Sequence, residues 1–361
     1  MTERELLDLI AQARDEEWEE LDLGSLWLDS IPESIGELTN LRTLILANNQ
    51  IKIIPESLGQ LINLRKLALS YNQIEIIPES LGQLTNLQVF NCDDNPLSSF
   101  PEFITQLTSL QKLSLCHTRI VFIPEVIGQL TSLKELDLGC NQISIIPKFI
   151  ARLTNLQAFG LYLNQIVDIS DSIGQLTNLK SLGVTYNQIS LIPDSIAKLT
   201  DLKELDLSHN QISIIPDSIH QLDSLEKLYL NHNKIEILPD PICKLANLQL
   251  LNLNYNCLRI IPNLIEQLIS LKELNVCGNQ IEIIPDGIGQ LTRLEILNLR
   301  GNQIKIVPNS VGQLLNLKEL NLAYNRIGII PGSLQKLVEV KKIIIEGNPI
   351  YCLNEPDIIP F

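Results

Sequence analysis

The sequence predicts an α/β solenoid, in which similar coils stack so that a parallel β-sheet forms the concave side and short helices or irregular turns form the convex side. Leucine-type residues recur every 23 positions from Trp18 to Val340, without insertion or deletion, which makes fifteen units. Within each unit the pattern LxxLxL alternates, as expected of a strand with one buried face. Identical strands that are 23 residues apart can pair only in parallel, because the chain must return to the same side before each new strand.

The unit Leu202 to Ser224 is typical of the segments that connect the strands. Its strand is followed by Asn210, and its return begins with Pro216 and Asp217. We expect the proline at the first position of a short helix, where the neighbouring carboxylate favours the partially positive helix end. Asparagine stands at the equivalent of Asn210 in thirteen of the fifteen coils. Because an amide both donates and accepts hydrogen bonds, we interpret this column as a structural ladder at the strand ends.

The chain ends differ from the repeats. Residues 1–17 predict a capping helix, because Thr2 and Glu5 have the spacing of a capping box and apolar residues follow at helical spacing up to Ala13. Residues 18–361 then form the solenoid, including its terminal caps. Beyond Asn348 the pattern ends in a proline-containing tail. We interpret that tail as a carboxy-terminal cap or as the end of a truncated chain.

The consensus LxxLxLxxNxIxxIPxxIxxLxx resembles the leucine-rich repeat family over residues 18–361. Its 23-residue, proline-containing form is similar to the intracellular Ras-group class and to the repeat segments of bacterial Roco proteins. This resemblance implies a right-handed, horseshoe-shaped solenoid. It also implies a scaffold or adaptor in signalling, with a small GTPase or a phosphatase as partner. The phosphate-loop motif GxxxxGK[ST] is absent, so an isolated repeat region of a larger multidomain protein stays an alternative.

Composition restricts the partner and the compartment. The net charge of −15 argues against nucleic acid or an anionic membrane surface as a partner. The first residues lack the basic-then-apolar order of a secretion signal, and no apolar run has the length of a membrane span, so we expect no membrane insertion. The seven cysteines are scattered, which favours a reducing, cytoplasmic location. The sequence does not predict the oligomeric state.

The exposed face of the sheet is the predicted binding surface. The third, fifth and seventh residues of each LxxLxLxxN do not contribute to the core, and the eighth residue lies next to them at the rim of the sheet. In coils seven to eleven these positions hold tyrosines and histidines, which combine an apolar body with a polar tip and are typical interface anchors. We therefore predict noncatalytic protein binding, without cofactor or metal. The predicted partner-binding residues are Tyr162, Tyr186, His209, Tyr229, His232, Tyr255, Arg300 and Tyr324.

Two other functions are open to the same sequence. Asp94, His117 and Cys140 occupy the eighth position of three successive coils, with Asp93 and Cys116 one residue earlier in two of them. This order is that of a Cys-His-Asp nucleophile set or a partial metal site, and it makes a hydrolase centred on Cys140 and His117 the alternative. We predict that the chain is not an enzyme, because the sequence offers no lid or pocket that excludes water. A small-molecule or glycan sensor is a further alternative.

The thirteenth position of the coils forms a second apolar column. We expect this column in the wedge between neighbouring coils, because an exposed column of this length would be an unusual apolar stripe. Serine or aspartate interrupts the column in three coils. The column consists of Ile53, Ile76, Phe122, Ile145, Leu191, Ile214, Ile237, Ile260, Ile283, Ile306 and Ile329.

Overall fold

The computed structural model describes residues 1–334 and 343–350. The chain forms two compact units, Met1–Leu179 and Lys180–Phe361. Each unit consists of coils with one short strand apiece. The first unit contains strands β1 Glu20–Asp22, β2 Thr43–Ile45, β3 Lys66–Ala68, β4 Val89–Asn91, β5 Lys112–Ser114, β6 Glu135–Asp137 and β7 Ala158–Gly160. The second contains β8 Ser181–Gly183, β9 Glu204–Asp206, β10 Lys227–Tyr229, β11 Leu250–Asn252, β12 Glu273–Asn275, β13 Ile296–Asn298, β14 Glu319–Asn321 and β15 Ile343–Ile344.

Within each unit, strands that follow one another in sequence pair in parallel. Each residue pairs with its equivalent in the next coil, so that Leu205 pairs with Leu228 and Leu228 with Leu251. These central leucines are buried, whereas the flanking strand residues are more accessible. Because the side chains of a strand alternate between its two faces, the leucines form the core and their neighbours form the exposed face. The predicted fold class, a solenoid of parallel strands and short helical returns, is confirmed.

The returns are 3-10 helices of three to five residues rather than α-helices. Pro55 is the extended residue before such a helix, with φ −68° and ψ 145°, and Glu56 is the first helical residue. The predicted position of the proline was therefore wrong by one residue. The carboxylate takes the first position, next to the unsatisfied N–H groups of the helix. The 3-10 helices are Glu33–Glu37, Glu56–Gln60, Glu79–Gln83, Glu102–Gln106, Glu125–Gln129, Lys148–Arg152, Asp171–Gln175, Asp194–Lys198, Asp217–Gln221, Asp240–Lys244, Asn263–Gln267, Asp286–Gln290, Asn309–Gln313 and Gly332–Leu334.

The asparagine column is a hydrogen-bonded ladder, as predicted. The Asn72 side-chain nitrogen donates to the carbonyls of Leu46 and Leu69, both at 2.9 Å, and its side-chain oxygen accepts from the backbone N–H of Ile51 at 3.0 Å. One buried amide thus satisfies backbone groups of two coils, which would otherwise be left without partners. Thr118, an exception in sequence, donates its hydroxyl to a carbonyl of its own coil at 2.7 Å.

Helix α1, Glu3–Asp15, precedes the first coil. Its capping box is present: the Thr2 hydroxyl accepts from the Glu5 N–H at 3.3 Å, and the Glu5 carboxylate accepts from the Thr2 N–H at 2.7 Å. The apolar side of the helix, which includes Ile10 and Ala13, is buried. A helix with one buried side and satisfied end groups suits the role of a cap.

The boundary between residues 17 and 18 stays a prediction. The tail from residue 351 onward, with its predicted capping role, lies outside the described residues. Among the residues that are described, no helix has the length and apolar character needed to cross a membrane.

The thirteenth-position column is exposed, so its predicted burial between coils was wrong. The exposed fraction of these side chains runs from 54% at Ile260 to 76% at Ile306. The reason is visible in one coil, where Ile212 and Ile215 are both buried and fill the wedge. The intervening Ile214 lies on extended backbone that bridges in parallel to Leu191, and its side chain therefore points away from the core.

Candidate functional site

The eighth residue of each coil has an unusual backbone conformation. In the second unit φ is +54° at Tyr186, +50° at His209 and +54° at His232, although this left-handed region favours glycine. A side chain in that region costs roughly 1–2 kcal/mol of conformational energy. Cross-coil hydrogen bonds fix the conformation, since the His209 N–H donates to the Asn231 carbonyl at 2.8 Å. The turn that ends each strand thus places the eighth side chain at the rim of the sheet.

Four of these side chains stack into one column. We call Tyr186, His209, His232 and Tyr255 the aromatic column. Their ring centroids are 3.9, 4.1 and 4.4 Å apart in that order, with interplanar angles of 12°, 15° and 21°. Rings at neighbouring eighth positions meet face to face because successive strands are about 4.8 Å apart. The column therefore presents ring edges and polar tips outward, while the inner ring faces cover each other.

The side chains of the column remain accessible to solvent. Tyr186 is 49% and Tyr255 53% exposed. Burial lowers the pKa of His209, the adjacent His232 lowers it further, and the opposing effect of Asp206 is weaker. A neutral imidazole can stack on its neighbours without repulsion between two cations.

Tyr229 lies beside the column on the sheet face rather than in it. It is the last residue of β10 and pairs in register with Asp206 and Asn252. Burial raises the pKa of its hydroxyl, and the carboxylate of Glu204 raises it further. The tyrosine is therefore a half-buried neutral group that widens the aromatic surface onto the strands.

Arg300 and Tyr324 form a separate cluster. Gly278 and Gly301, with φ near +65°, occupy the next two eighth positions after Tyr255. A Cβ on Gly278 would lie 2.7 Å from the ring of Tyr255, so the ring rests directly on the glycine. Beyond the glycines, the guanidinium carbon of Arg300 lies 4.3 Å from the Tyr324 ring centroid, and Arg300 also forms an ion pair of 3.3 Å with Glu346.

Tyr162 belongs to the first unit and has a different environment. Its hydroxyl is 3.1 Å from the Cys116 sulfur and donates to Asp137 at 3.5 Å. Its ring covers Gly139, where a Cβ would meet it at 2.3 Å. Burial raises the pKa of the Tyr162 hydroxyl. The polar tip that the sequence analysis assigned to a partner is thus engaged within the unit.

The candidate hydrolase residues are only partly brought together. His117 Nδ1 is 2.6 Å from a carboxylate oxygen of Asp94, but no hydrogen bond in the described part of the chain joins His117 to Cys140. Asp93 accepts from the Cys116 N–H at 2.7 Å and so supports the backbone. Burial raises the pKa of the neighbouring Cys116 thiol to about 12. Cys116 therefore lacks the lowered pKa of a nucleophilic cysteine. Among residues 1–334 and 343–350, no group of three or more His, Cys, Asp or Glu side chains is arranged to hold a metal ion.

Sequence reasoning missed Tyr71. This residue occupies the eighth position of coil three, with φ +57° and an exposed side chain, and the Asp94 carboxylate raises its pKa. An aromatic residue at that position is the same signal that identified Tyr186, but the predicted surface covered only coils seven to eleven and the carboxy end. Tyr71 is therefore an exposed aromatic side chain of the first unit that lies outside the aromatic column.

Family models match successive parts of the chain. One described as a leucine-rich repeat region matches residues 56–162. One described as a leucine rich repeat matches residues 19–74, 177–235 and 292–350, and one described as two copies of leucine rich repeats matches residues 269–313. No curated protein matches the chain at a significant level.

Several solved structures are similar to the chain. A leucine-rich repeat protein of Leptospira interrogans is 34% identical, with 94% of this chain and 93% of that chain covered and a TM-score of 0.86. The plant peptide hormone receptor RGFR1, solved in complex with RGF2, is 28% identical, with 91% and 67% covered and a TM-score of 0.63. TLR13, solved in complex with ssRNA13, is 26% identical, with 96% and 53% covered and a TM-score of 0.77. With its repeats matched along the sequence and the Leptospira protein covered almost end to end, this chain belongs to the leucine-rich repeat family.

Proposed function

We propose that this chain is a noncatalytic protein-binding module, whose partner docks on the exposed sheet face of the second unit and on the aromatic column at its rim. The observation that carries the proposal is the aromatic column, with its ring stacking of 3.9 to 4.4 Å between Tyr186 and Tyr255. Rigid aromatic side chains lose little conformational entropy on binding and dominate interface energies. Tyr229 adds contact area on the strands, and Arg300 with Tyr324 adds a cationic and aromatic cluster.

A protein partner fits the column better than a glycan or a nucleic acid. Base and sugar recognition relies on open ring faces, whereas the inner faces of this column are covered by neighbouring rings and the outer face of Tyr255 rests on Gly278. The net charge of −15 also opposes binding of a phosphate backbone. The RGFR1 and TLR13 structures contain a peptide hormone and an RNA, respectively, so both ligand classes belong in the test.

We infer further that the module acts as a scaffold or adaptor in cytoplasmic signalling, with a small GTPase or a phosphatase as partner. The support is the proline-containing 23-residue repeat and its resemblance to the Ras-group class. The six cysteines among the described residues are all free thiols, which is the usual state in a reducing compartment. The class, the pathway and the compartment stay predictions.

The test compares capture by the wild-type chain and by a triple variant, Tyr186→Ala, His209→Ala and Tyr229→Ala. Loss of two or more anchors should weaken capture of the native partner from cytosol by at least about tenfold, because a true anchor contributes about 2 kcal/mol or more. Quantitative mass spectrometry of the captured proteins measures this. The matched control is Tyr71→Ala in the first unit, an exposed tyrosine with nearly the same φ, which should leave capture unchanged.

Two results would contradict the proposal. One is equal capture by the wild type and the triple variant, provided that both give the same cooperative thermal unfolding. The other is tight binding of a single-stranded RNA oligonucleotide that the triple variant loses, since this would make the column a nucleic-acid surface.

A further inference from the structure

The second unit carries a continuous apolar stripe outside the sheet face. It comprises Leu191, Ile214, Ile237, Ile260, Ile283, Ile306 and Ile329, one from each of seven successive coils, and every member is more than half exposed. Parallel bridges join Leu191 to Ile214 and run from Ile260 through Ile283 and Ile306 to Ile329, so the residues of each bridged pair are about one strand spacing apart. A contiguous exposed apolar surface is typical of an interaction site rather than of a free surface.

An acidic row follows one edge of this stripe in the first three coils. Asp194, Asp217 and Asp240 begin the 3-10 helices of these coils, three residues after Leu191, Ile214 and Ile237 respectively. All three aspartates are exposed, and none takes part in a salt bridge within the described residues. The Asp194 carboxylate accepts a hydrogen bond from the neutral hydroxyl of Ser218, at 2.7 Å.

The acidic row is interrupted at the fourth coil, where Asn263 replaces the aspartate and Arg259 stands beside Ile260, and an aspartate returns once, at Asp286 in the fifth coil. The uninterrupted segment that combines apolar and negative character in this unit is therefore defined by Leu191, Ile214 and Ile237 with Asp194, Asp217 and Asp240. We call it the acidic-apolar edge.

We propose that the acidic-apolar edge binds a basic amphipathic helix of a protein partner. Such a helix repeats its apolar residues about every 5.4 Å along one side, close to the spacing of about 4.8 Å between coils. Three turns of helix span about 16 Å and stay nearly in register with three or four coils. An extended strand repeats its side chains every 6.6–6.8 Å on one face and falls out of register within about three coils. Lysines or arginines beside the apolar residues of the helix would then face the aspartates.

Charge opposes two other occupants of the same surface. A second copy of this chain would bring an identical row of aspartates against Asp194, Asp217 and Asp240, and like charges in an interface cost free energy. An anionic lipid surface would be repelled by the same row of aspartates and by the net charge of −15. The inference is independent of the proposed docking on the sheet face, since the two surfaces share no residue.

A labelled Leu/Lys amphipathic peptide of about 15 residues is the probe, because shorter isolated helices are marginal in water. Fluorescence anisotropy measures its binding to the full chain. The double variant Ile214→Thr and Ile237→Thr should bind it at least about tenfold more weakly, because apolar contact is lost. Both side chains are mostly exposed, and threonine keeps the β-branched shape, so folding should be retained. The matched control is Ile269→Thr, which removes an equally exposed isoleucine of the same unit outside the stripe and should leave affinity unchanged.

The electrostatic part has its own variant, Asp217→Asn with Asp240→Asn. This change should lower the affinity for the Leu/Lys peptide and make that affinity less dependent on salt concentration. A peptide with glutamate in place of lysine should not bind. The triple variant of the sheet face should bind the Leu/Lys peptide like the wild type, so failure of one proposal is distinguishable from failure of the other.

Three outcomes overturn the inference. The first is equal binding of a scrambled Leu/Lys peptide of the same composition, which would indicate charge attraction alone. The second is unchanged binding by the Ile214 and Ile237 double variant. The third is a concentration-dependent dimer in sedimentation velocity that this double variant abolishes, because a second copy would then occupy the stripe.

Discussion

The eighth position of the coils carries different chemistry in the two units. In the second unit the rings of His209 and His232 stack at 4.1 Å, whereas in the first unit His117 is held by the Asp94 carboxylate at 2.6 Å. The backbone is the same in both, with φ of +55° at His117 and +54° at His232. The repeat therefore determines where the histidine lies, and the residues at the neighbouring eighth positions determine whether it joins an aromatic or a polar surface.

The largest expected effect tests what the two units share. Asn256→Ala removes hydrogen bonds to the carbonyls of Leu230 and Leu253, at 2.9 and 3.1 Å, and from the N–H of Ile235 at 3.0 Å. We expect a loss of at least about 3 kcal/mol in the free energy of unfolding, because several buried backbone groups lose their partners. Urea unfolding measures this. Asn72→Ala in the first unit should cost a similar amount, and a loss below about 1 kcal/mol in either variant would show that the ladder is not essential.

A smaller effect tests what distinguishes the units. His232→Ala should lower the free energy of unfolding by about 1–2 kcal/mol more than His117→Ala. The His232 ring stacks on two neighbours, each pair contributing about 0.5–1.5 kcal/mol, while an exposed hydrogen bond such as that between His117 and Asp94 contributes at most about 1 kcal/mol. Alanine meets the same positive φ at both sites, so the backbone cost cancels. Equal losses in thermal or urea unfolding would mean that the stacking adds no stability.

The smallest effect concerns acid. Burial and His232 lower the pKa of His209 below 6.5, so the unfolded chain takes up this proton first on acidification. The stabilising contribution is then complete above about pH 6.5 and declines as the pH falls toward the folded pKa. When the pH is lowered from about 7.5 to about 5.5, the Tm of the wild type should fall further than the Tm of His209→Asn. Asparagine tolerates the left-handed backbone but does not titrate. Identical losses would remove any linkage between His209 and stability.

The fold was predictable because its signal is repeated. Burial of the strand leucines, parallel pairing and the hydrogen bonds of Asn72 all follow from a pattern that recurs every 23 residues. The position of Pro55 was wrong by one residue, because a proline fits both the extended residue before a helix and the first helical residue. A periodic sequence thus fixes the order of elements more firmly than their ends.

The surface was less predictable than the core. The sequence identified the residues of the aromatic column but not the stacking of their rings. The stacking depends on a left-handed turn, and a tyrosine such as Tyr186 does not predict that backbone conformation. Tyr162 shares the residue type of Tyr186, yet its hydroxyl contacts Cys116 within the first unit. The exposure of Ile214 was missed because hydrophobicity indicates a buried residue, whereas here the buried Ile212 and Ile215 already fill the interior.

The positive φ at the eighth position also bears on how this chain would respond to selection for heat resistance. Glycine relaxes such a backbone, and it already stands there at Gly278 and Gly301, whereas His209 and His232 keep bulky rings under torsional strain. Each of these rings stacks on two neighbours, at about 0.5–1.5 kcal/mol per pair, which should offset the torsional cost, so screening for thermal tolerance alone should retain both histidines. Persistence of the rings under such screening would mean that their mutual contacts outweigh the torsional penalty.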